Sequence, residues 1–473
     1  MPEPSAALLD QLRAVLGPRG MLTAPEDLAP YVVDWRRLYH GKTAAVLRPA
    51  NTEEVAQVVR LCAQAKVPLV PQGGNTGMVG GAVPSEDGTA LVLSLARLDR
   101  IRALDPVDMT LTIEAGATLR AAQEAAEQAD CLLPLSIGSE GTAQVGGILS
   151  TNAGGNHTVR YGNAREMTLG LEVVLPDGRI WNGLRRLRKD NTGYALRHLF
   201  IGAEGTLGVI TAAVVRLRPR PREKEIAFCA VASPDAALSL FNRFRRADPA
   251  SVQAFEYMNH TGIALVLQHV PQTSLPLARV AAHYALVELA TPRADAHLRE
   301  LMENVLAQAM ADHLVQDAVI AESVAQQDAI WKLRESHAEA QRHAGTAVRN
   351  DVSVPVSQVP RFLEEAARAC EELVAGVRVV AFGHMGDGNI HFNLLNPEGM
   401  SPTAFLAHHH TLMDAVNAVV RKLDGSFSAE HGVGQLKRHL MPEWRGGVEL
   451  DLMRRIKHAI DPLGLMNPGK VLP

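Results

Sequence analysis

Cysteine is scarce in this chain, and the little there is forms no pattern. Cys62, Cys131, Cys229 and Cys370 stand far apart with no CxxC spacing, which argues against a cysteine zinc site or a disulfide framework and fits a reducing cytoplasm. An excess of charge of either sign is missing too. The 47 basic and 51 acidic side chains leave a formal charge of −4, too weak a field to hold nucleic acid or an anionic lipid surface. The one local basic cluster, Arg185, Arg186, Arg188 and Lys189, reads as a solvated face. No apolar run approaches the roughly 20 residues that a bilayer crossing needs. Met1–Gly20 reads as a short amphipathic helix with Leu8, Leu9, Leu12 and Leu16 at helical spacing, and Glu3 and Asp10 argue against a secretory signal. Two nucleotide signatures are absent as well: neither glycine-rich stretch matches the GxGxxG of an NAD-binding Rossmann domain or the GxxxxGK[ST] of a P-loop.

What is present suits two or three domains sharing a large interior, since the chain has 473 residues of which 47% are hydrophobic. The first 220 or so residues alternate short strands with helices. Strands are expected at Ala44–Leu47, Leu69–Pro71, Leu91–Leu95, Thr110–Glu114 and Leu207–Leu217, and a hairpin around Pro176-Asp177-Gly178. Helices are expected at Thr52–Ala65, with Thr52 as N-cap and Val55, Val58, Val59 and Cys62 on one face, and at Leu119–Gln128. The proline- and arginine-rich segment Arg218–Arg222 marks a domain boundary. Beyond it, strand-like runs (Ile226–Val231, Val280–Leu289) mix with long helices (Pro234–Arg245, Arg293–Ala311, Val359–Leu373), and the last 50 or so residues read as largely helical. There is no internal repeat.

The glycine-rich stretches carry the first chemical signal. Pro71-Gln72-Gly73-Gly74-Asn75-Thr76-Gly77-Met78-Val79-Gly80-Gly81 follows a strand directly, and a second stretch from Pro134 to Gly155 contains Gly138, Gly141, Gly146, Gly147, Gly154 and Gly155. Glycines let backbone N–H groups turn towards one anion with no Cβ in its way. Two such loops beside a sheet, with the Rossmann and P-loop patterns excluded, suit a long diphosphate such as that of FAD.

The second signal is histidine. In Gly383-His384-Met385-Gly386-Asp387-Gly388-Asn389-Ile390-His391-Phe392-Asn393 the Gly-Asp-Gly-Asn centre is a hairpin turn that brings His384 and His391 together. Further on comes Glu430-His431-Gly432-Val433-Gly434. Two imidazoles and a carboxylate form a three-ligand set that leaves positions open for water or substrate. His408-His409-His410 does not qualify, because successive residues of a helix point about 100 degrees apart. His157, His198 and His260 lack a partner set nearby in sequence.

The motifs Gly-Gly-Asn-Thr-Gly, Ser150-Thr151-Asn152-Ala153-Gly154-Gly155 and Phe200-Ile201-Gly202-Ala203-Glu204-Gly205-Thr206-Leu207-Gly208 resemble the FAD domain of the vanillyl-alcohol-oxidase superfamily. Within it the chain is similar, over nearly its whole length to Asn467-Pro468-Gly469-Lys470, to the D-lactate and D-2-hydroxyglutarate dehydrogenases. The resemblance implies an α+β fold: a p-cresol-methylhydroxylase-type FAD-binding domain over residues 1–220, an α+β substrate or cap domain over 221–423, and a C-terminal segment, 424–473, that returns to the FAD domain with Glu430 and His431. FAD would be held by Gln72, Gly73, Gly74, Asn75, Thr76, Gly77, Met78, Pro134, Gly138, Ser139, Thr142, Gly146, Gly147, Thr151, Asn152, Gly154, Tyr161, Gly162, Ile210 and Asn467. Some relatives attach flavin through a histidine in the first glycine loop; residues 71–81 contain none, so non-covalent FAD is expected. Carried over from the family, His384, His391 and Glu430 would ligate a divalent metal, with zinc expected and manganese or iron compatible, and His431 would be the base.

Those roles imply metal-assisted loss of a substrate hydroxyl proton to His431 and transfer of the C2 hydride to flavin. Arg334 lies where relatives keep a substrate-binding arginine, Arg349 where many carry lysine, and Asn393 would hydrogen-bond the substrate. Ala338 falls where some hydroxyglutarate enzymes have a hydroxyl residue, so D-2-hydroxyglutarate, D-lactate and D-malate all stay open. Electrons would pass to an electron-transfer flavoprotein, a cytochrome or a quinone, and the assembly would be a homodimer. Two alternatives remain open: an oxygen-using flavin oxidase of 2-hydroxy acids, and a metallohydrolase built on His384, His391 and Glu430.

Overall fold

The computed structural model describes residues 3–473. Its chain divides into two units. One comprises Met1–Gly155, Gly162–Pro219 and Glu430–Pro473, and the other Asn156–Tyr161 and Arg220–Ala429. The first unit therefore closes on the C-terminal segment, and the second borrows a short piece from within the first.

In the first unit, the strands Val46–Leu47, Leu91–Ser94 and Leu69–Gln72 pair in parallel, with Met21–Leu22 added antiparallel at one edge. A parallel pair needs a crossover, and the helix Thr52–Ala65 supplies one. Val55, Val58, Val59 and Cys62 on it are buried against Leu8, Leu12 and Leu16 of the helix Ala6–Leu16. Each such side chain contributes about 1.5–3 kcal/mol on leaving water. The cap of the crossover helix is Asn51, not Thr52: the Asn51 Oδ1 accepts the Glu54 N–H at 2.8 Å. Thr52 is instead buried, and its hydroxyl donates to Glu172 Oε1 at 2.6 Å. It is drawn there by an ion-pair ladder in which Arg102 joins Glu114 and Glu172, each at 3.0 Å.

A five-stranded antiparallel sheet follows, in the order Ile101–Asp105, Thr110–Glu114, Val209–Arg216, Thr168–Val174, Ile180–Gly183. Its last two strands are the hairpin expected around Pro176-Asp177-Gly178, closed by the Leu175 N–H on the Arg179 carbonyl at 2.9 Å. The end of the chain packs beside Leu69, whose N–H donates to Leu465 O at 2.9 Å and whose carbonyl accepts the Asn467 N–H at 2.8 Å. The last segment is less helical than its composition suggests. Among the described residues its α-helices are Met441–Trp444 and Val448–Ile460. Gly432 and Gly434, at φ of +79° and +51°, keep the Glu430–Gly434 stretch out of helical conformation.

The second unit is built on a seven-stranded antiparallel sheet. Its order is Val315–Ile320, Glu223–Val231, His283–Thr291, Val252–Asn259, Arg378–Gly383, Asn389–Leu395, Ala347–Ser353. Side chains alternate across a strand, so the register sorts the faces. One face packs Phe241, Phe255, Phe362 and Phe392 as aromatic pairs. The other carries Ile226, Phe228, Leu286, Met258 and Phe382 in a core completed by Ile263, Ile330 and Leu333 from helices. The central strand Val252–Asn259 is not apparent in the sequence pattern. The helix expected from Arg293 starts only at Leu298, because His297 adopts a left-handed φ of 53°.

Candidate functional site

The register of the second unit lines up a polar stripe on the face that bears Phe382. Phe382 sits opposite His391, His391 opposite Asp351, and Asn393 opposite Arg349. Met258 sits opposite Phe382, so Glu256, two residues before it, points to the same face. The helices Val324–Glu335 and His337–Ala344 lie over this stripe. Arg334, His337 and Gln341, spaced three and four apart, reach down to it.

At the centre is Glu256, fully buried, with Arg334 Nε 2.5 Å from Oε2 and His384 Nδ1 2.8 Å from Oε1. Burial alone would raise this carboxyl, but the Arg334 and His384 charges outweigh it and hold it near 2. The Arg334 guanidinium also stacks 5.0 Å over the Phe382 ring. His337 closes the other side. Its ring lies 4.5 Å from Phe382 and its Nδ1 is 3.0 Å from the Arg334 carbonyl. Burial first, and then the Arg334 charge, lower its pKa to about 3, so it stays neutral.

The hairpin histidines come together as the turn implies: the His384 and His391 rings are 6.2 Å apart. The turn between their strands is opened by Gly383 at φ +148° and closed by Gly388 at φ +87°. A Cβ at Gly388 would lie 2.1 Å from the Val354 carbonyl, so only glycine fits. Asp387 in the same turn is pushed up to about 6, chiefly by burial. His391 Nδ1 is 3.7 Å from Asp351 Oδ1, and Asn389 Nδ2 donates to that same oxygen at 3.0 Å.

The strand Ala347–Ser353 also guides the chain that follows. Ser353 and Ser426 exchange backbone hydrogen bonds of 3.1 and 2.7 Å, and the Ala429 N–H reaches Asp351 O at 3.3 Å. Glu430 and His431 are the next two residues. One ligand atom from each of His384, His391 and Glu430 lies within 4.8 Å of the other two, and Asp351, His391 and His431 meet the same limit. A group of imidazole nitrogens and carboxylate oxygens of this kind can bind a metal.

Two residues expected to meet substrate have other partners as well. Arg334 directs its Nε to Glu256. Asn393 Nδ2 donates to Gln341 Oε1 at 3.0 Å, and its Oδ1 accepts the Asn350 N–H at 3.2 Å. Tyr161 lies in the second unit, its hydroxyl 3.4 Å from Gln253 Oε1.

The glycine loops belong to the first unit. A Cβ on Gly74 would sit 2.0 Å from Thr142 O, so the two loops pack backbone against backbone. Beside that contact, Gly77, Gly138 and Gly147 face open space. Among the described residues, the N–H groups from Gly73 to Met78 have no backbone acceptor, which is what a diphosphate held by main-chain amides requires. Several neighbouring side chains shape this cradle. Gln72 Nε2 donates to Tyr31 O at 2.9 Å and Ala82 O at 2.8 Å, and Asn75, at φ +53°, donates to Val33 O at 2.8 Å. Thr151 bonds back to Gly147 O at 3.1 Å, and Asn152 Oδ1 accepts the Arg165 N–H at 2.9 Å. The helix Val145–Thr151 starts just after Thr142 and holds Gly146 against Ala115, whose carbonyl accepts the Gly146 N–H at 2.7 Å. Ile210 is buried in its strand, and Gly162 turns at φ +78°. Asn467 Nδ2 reaches Gly81 O at 2.9 Å and Glu204 O at 2.7 Å.

Glu256, Glu204 and Asp351 carry geometry that the sequence reading did not assign. A glutamate flanked by Phe255 and Tyr257 in a buried strand was the available signal for Glu256. Glu204 accepts the Val433 and Gly434 N–H groups at 2.7 and 2.8 Å, which fixes the loop just after His431.

Comparison with known proteins agrees with this architecture. A family model described as FAD binding domain matches residues 43–183, and one described as FAD linked oxidases, C-terminal domain, matches residues 220–471. The chain is 37% identical over 449 residues to the D-2-hydroxyglutarate dehydrogenase of Xanthomonas citri pv. viticola, covering 95% of this chain and 93% of that protein. It is 36% identical over 469 residues to the mitochondrial D-2-hydroxyglutarate dehydrogenase of Danio rerio, covering 98% and 85%. It is 34% identical over 470 residues to the Stutzerimonas stutzeri enzyme of the same name, covering 98% of each. Among solved structures, p-cresol methylhydroxylase superimposes with a TM-score of 0.74 at 17% identity over 99% of this chain and 97% of that one, which shows the fold. With two flavin-domain matches and full-length likeness to these enzymes, the chain belongs to the FAD-dependent D-2-hydroxyacid dehydrogenase family.

Proposed function

We propose that the chain oxidises D-2-hydroxyglutarate to its 2-oxo acid, with a divalent metal held by His384, His391 and Glu430. The observation that carries this reading is the convergence of those three side chains within 4.8 Å, in a chain whose relatives are named for that substrate. Bound FAD would supply the hydride acceptor, and non-covalent attachment follows from the lack of histidine in residues 71–81. A divalent ion, zinc first among candidates given the nitrogen and oxygen ligands, would supply a Lewis acid for the substrate hydroxyl.

The chain's own residues do the rest. His431 takes the hydroxyl proton, and the Glu204 clamp on the Val433 and Gly434 N–H groups keeps its loop in place. Glu256 Oε1 lies 2.8 Å from Nδ1 of His384 and Arg334 Nη2 lies 3.5 Å from its Nε2, so this buried pair orients the ring, as the partner of a metal-ligating histidine would. Arg349, on the strand opposite Asn393, attracts a substrate carboxylate. Arg334 adds positive field through its terminal nitrogens, since its Nε is engaged. Electrons would leave through a carrier protein or quinone. Four separate buried thiols support a reducing compartment such as the cytoplasm. No helix among the described residues is long and apolar enough to cross a membrane.

An anaerobic screen of D- and L-2-hydroxyglutarate, lactate and malate, read as flavin bleaching, tests the assignment. D-2-hydroxyglutarate should bleach at the lowest concentration. Preference for an L-acid, or bleaching by none, would overturn it.

A further inference from the structure

The basic run that the sequence offers as a solvated face divides in two in the folded chain. Arg185 lies 3.7 Å from Asp190, and Arg186 lies 3.1 Å from Asp105. Arg188 forms no ion pair among the described residues. Together with Arg165, Arg197, His198 and Arg216 it lines a cavity of about 480 Å³ in the first unit. None of these residues is among those assigned to FAD, metal or substrate.

Few acceptors serve that lining. Arg165 donates to the His198 and Ile201 carbonyls at 3.0 and 2.6 Å, so it contributes charge more than free donors. Its one acidic residue, Glu166, accepts the Asn163 N–H at 2.9 Å as part of a helix capping box. Meanwhile Arg197 Nε, Arg216 Nε and His198 Nδ1 are buried with no hydrogen-bond partner. Buried polar atoms are normally satisfied, and cationic ones above all. Burial, followed by the Arg218 and Arg188 charges, lowers the pKa of Arg216; burial, followed by Arg197 and Arg165, lowers that of His198. The cavity is therefore electropositive and short of acceptors.

We propose that this cavity binds an organic phosphate ester, its phosphate group shared by Arg188, Arg197 and Arg216. Planar guanidinium forks match phosphate oxygens, and one tetrahedral group can serve several forks at once. The volume favours an ester over the free ion: it falls within the roughly 300–1,000 Å³ typical of small-molecule sites, far more than phosphate alone fills.

Calorimetric titration of the FAD-loaded protein tests this, with glycerol 3-phosphate, inorganic phosphate and glycerol as probes. Saturable binding of glycerol 3-phosphate, tighter than inorganic phosphate and absent for glycerol, is expected. The Arg188→Gln/Arg216→Gln variant should bind at least about tenfold more weakly, and Arg185→Gln/Arg186→Gln like the parent. If loss of Arg216 disturbs folding, Arg188→Gln alone, at an exposed position, should still weaken binding several-fold. No saturable binding, or unchanged affinity in Arg188→Gln and the double variant, would overturn the site. Equal affinity for inorganic phosphate would overturn the ester.

Discussion

Replacing Glu256 by glutamine keeps the side chain's shape and removes its charge. The Arg334 guanidinium, only 7% exposed, then loses the carboxylate 2.5 Å from its Nε. Breaking a buried pair from one side typically costs about 3–5 kcal/mol, because the remaining ion stays desolvated. For a unit of this size that corresponds to a fall in Tm of roughly 10 °C. Arg334→Met should cost a similar amount, since it strands a carboxylate that is 0% exposed. The double variant strands neither charge. Its loss should fall short of the sum of the singles by about 2 kcal/mol or more. Denaturant unfolding of the four proteins measures the cycle directly. Metal content, read in parallel, should fall in Glu256→Gln by the roughly 10–100-fold in affinity expected when a ligand histidine loses its orienting partner. Additive stabilities would refute the idea that these two groups stabilise one another, and unchanged metal affinity would refute Glu256 as the group that orients His384.

Three further outcomes follow from the same geometry. Glu288 is buried, which would raise its pKa, but His157, Lys224 and the Trp331 indole outweigh burial and hold it near 2 against an ordinary 4.5. Its folded pKa is the lower one, so its stabilisation is complete above about pH 5 and is lost as pH falls from there towards 2; acid unfolding should show that window, and Glu288→Gln should flatten it. Gly74→Ala places a methyl 2.0 Å from Thr142 O, so the loops must part and FAD affinity should drop at least about tenfold, roughly 1.4 kcal/mol, read by flavin fluorescence on dialysis; retained affinity would mean the two loops do not form the cradle. His431→Ala should slow flavin reduction by about 10²–10⁴-fold with FAD still bound, and wild-type-like reduction in a stopped-flow trace would remove His431 from the base role.

Local chemistry was legible wherever it rested on backbone geometry or short spacing. The helices Leu119–Gln128 and Val359–Leu373 have the limits their periodicity suggests, and the Gly-Asp-Gly-Asn turn brings His384 and His391 together because the six residues between them leave little choice. Thr52 misled because Asn51 is an equally good cap, and a buried Glu172 competes for the threonine hydroxyl. The strand Val252–Asn259 stayed hidden because it is buried on both faces, so its sequence lacks the alternation that marks a half-exposed strand. Glu256 was lost with it. That Arg334 faces a glutamate 78 positions earlier in the chain depends on sheet order, which no local pattern encodes. The same holds for Glu204, whose partners Val433 and Gly434 lie more than two hundred residues on.

Metal removal tests the central claim most directly. Enzyme treated with a chelator and returned to metal-free buffer should keep its yellow flavin yet no longer bleach with D-2-hydroxyglutarate, and one equivalent of a divalent ion should restore bleaching in the parent but not in His384→Ala. Undiminished bleaching in fully metal-free enzyme would contradict a metal held by His384, His391 and Glu430.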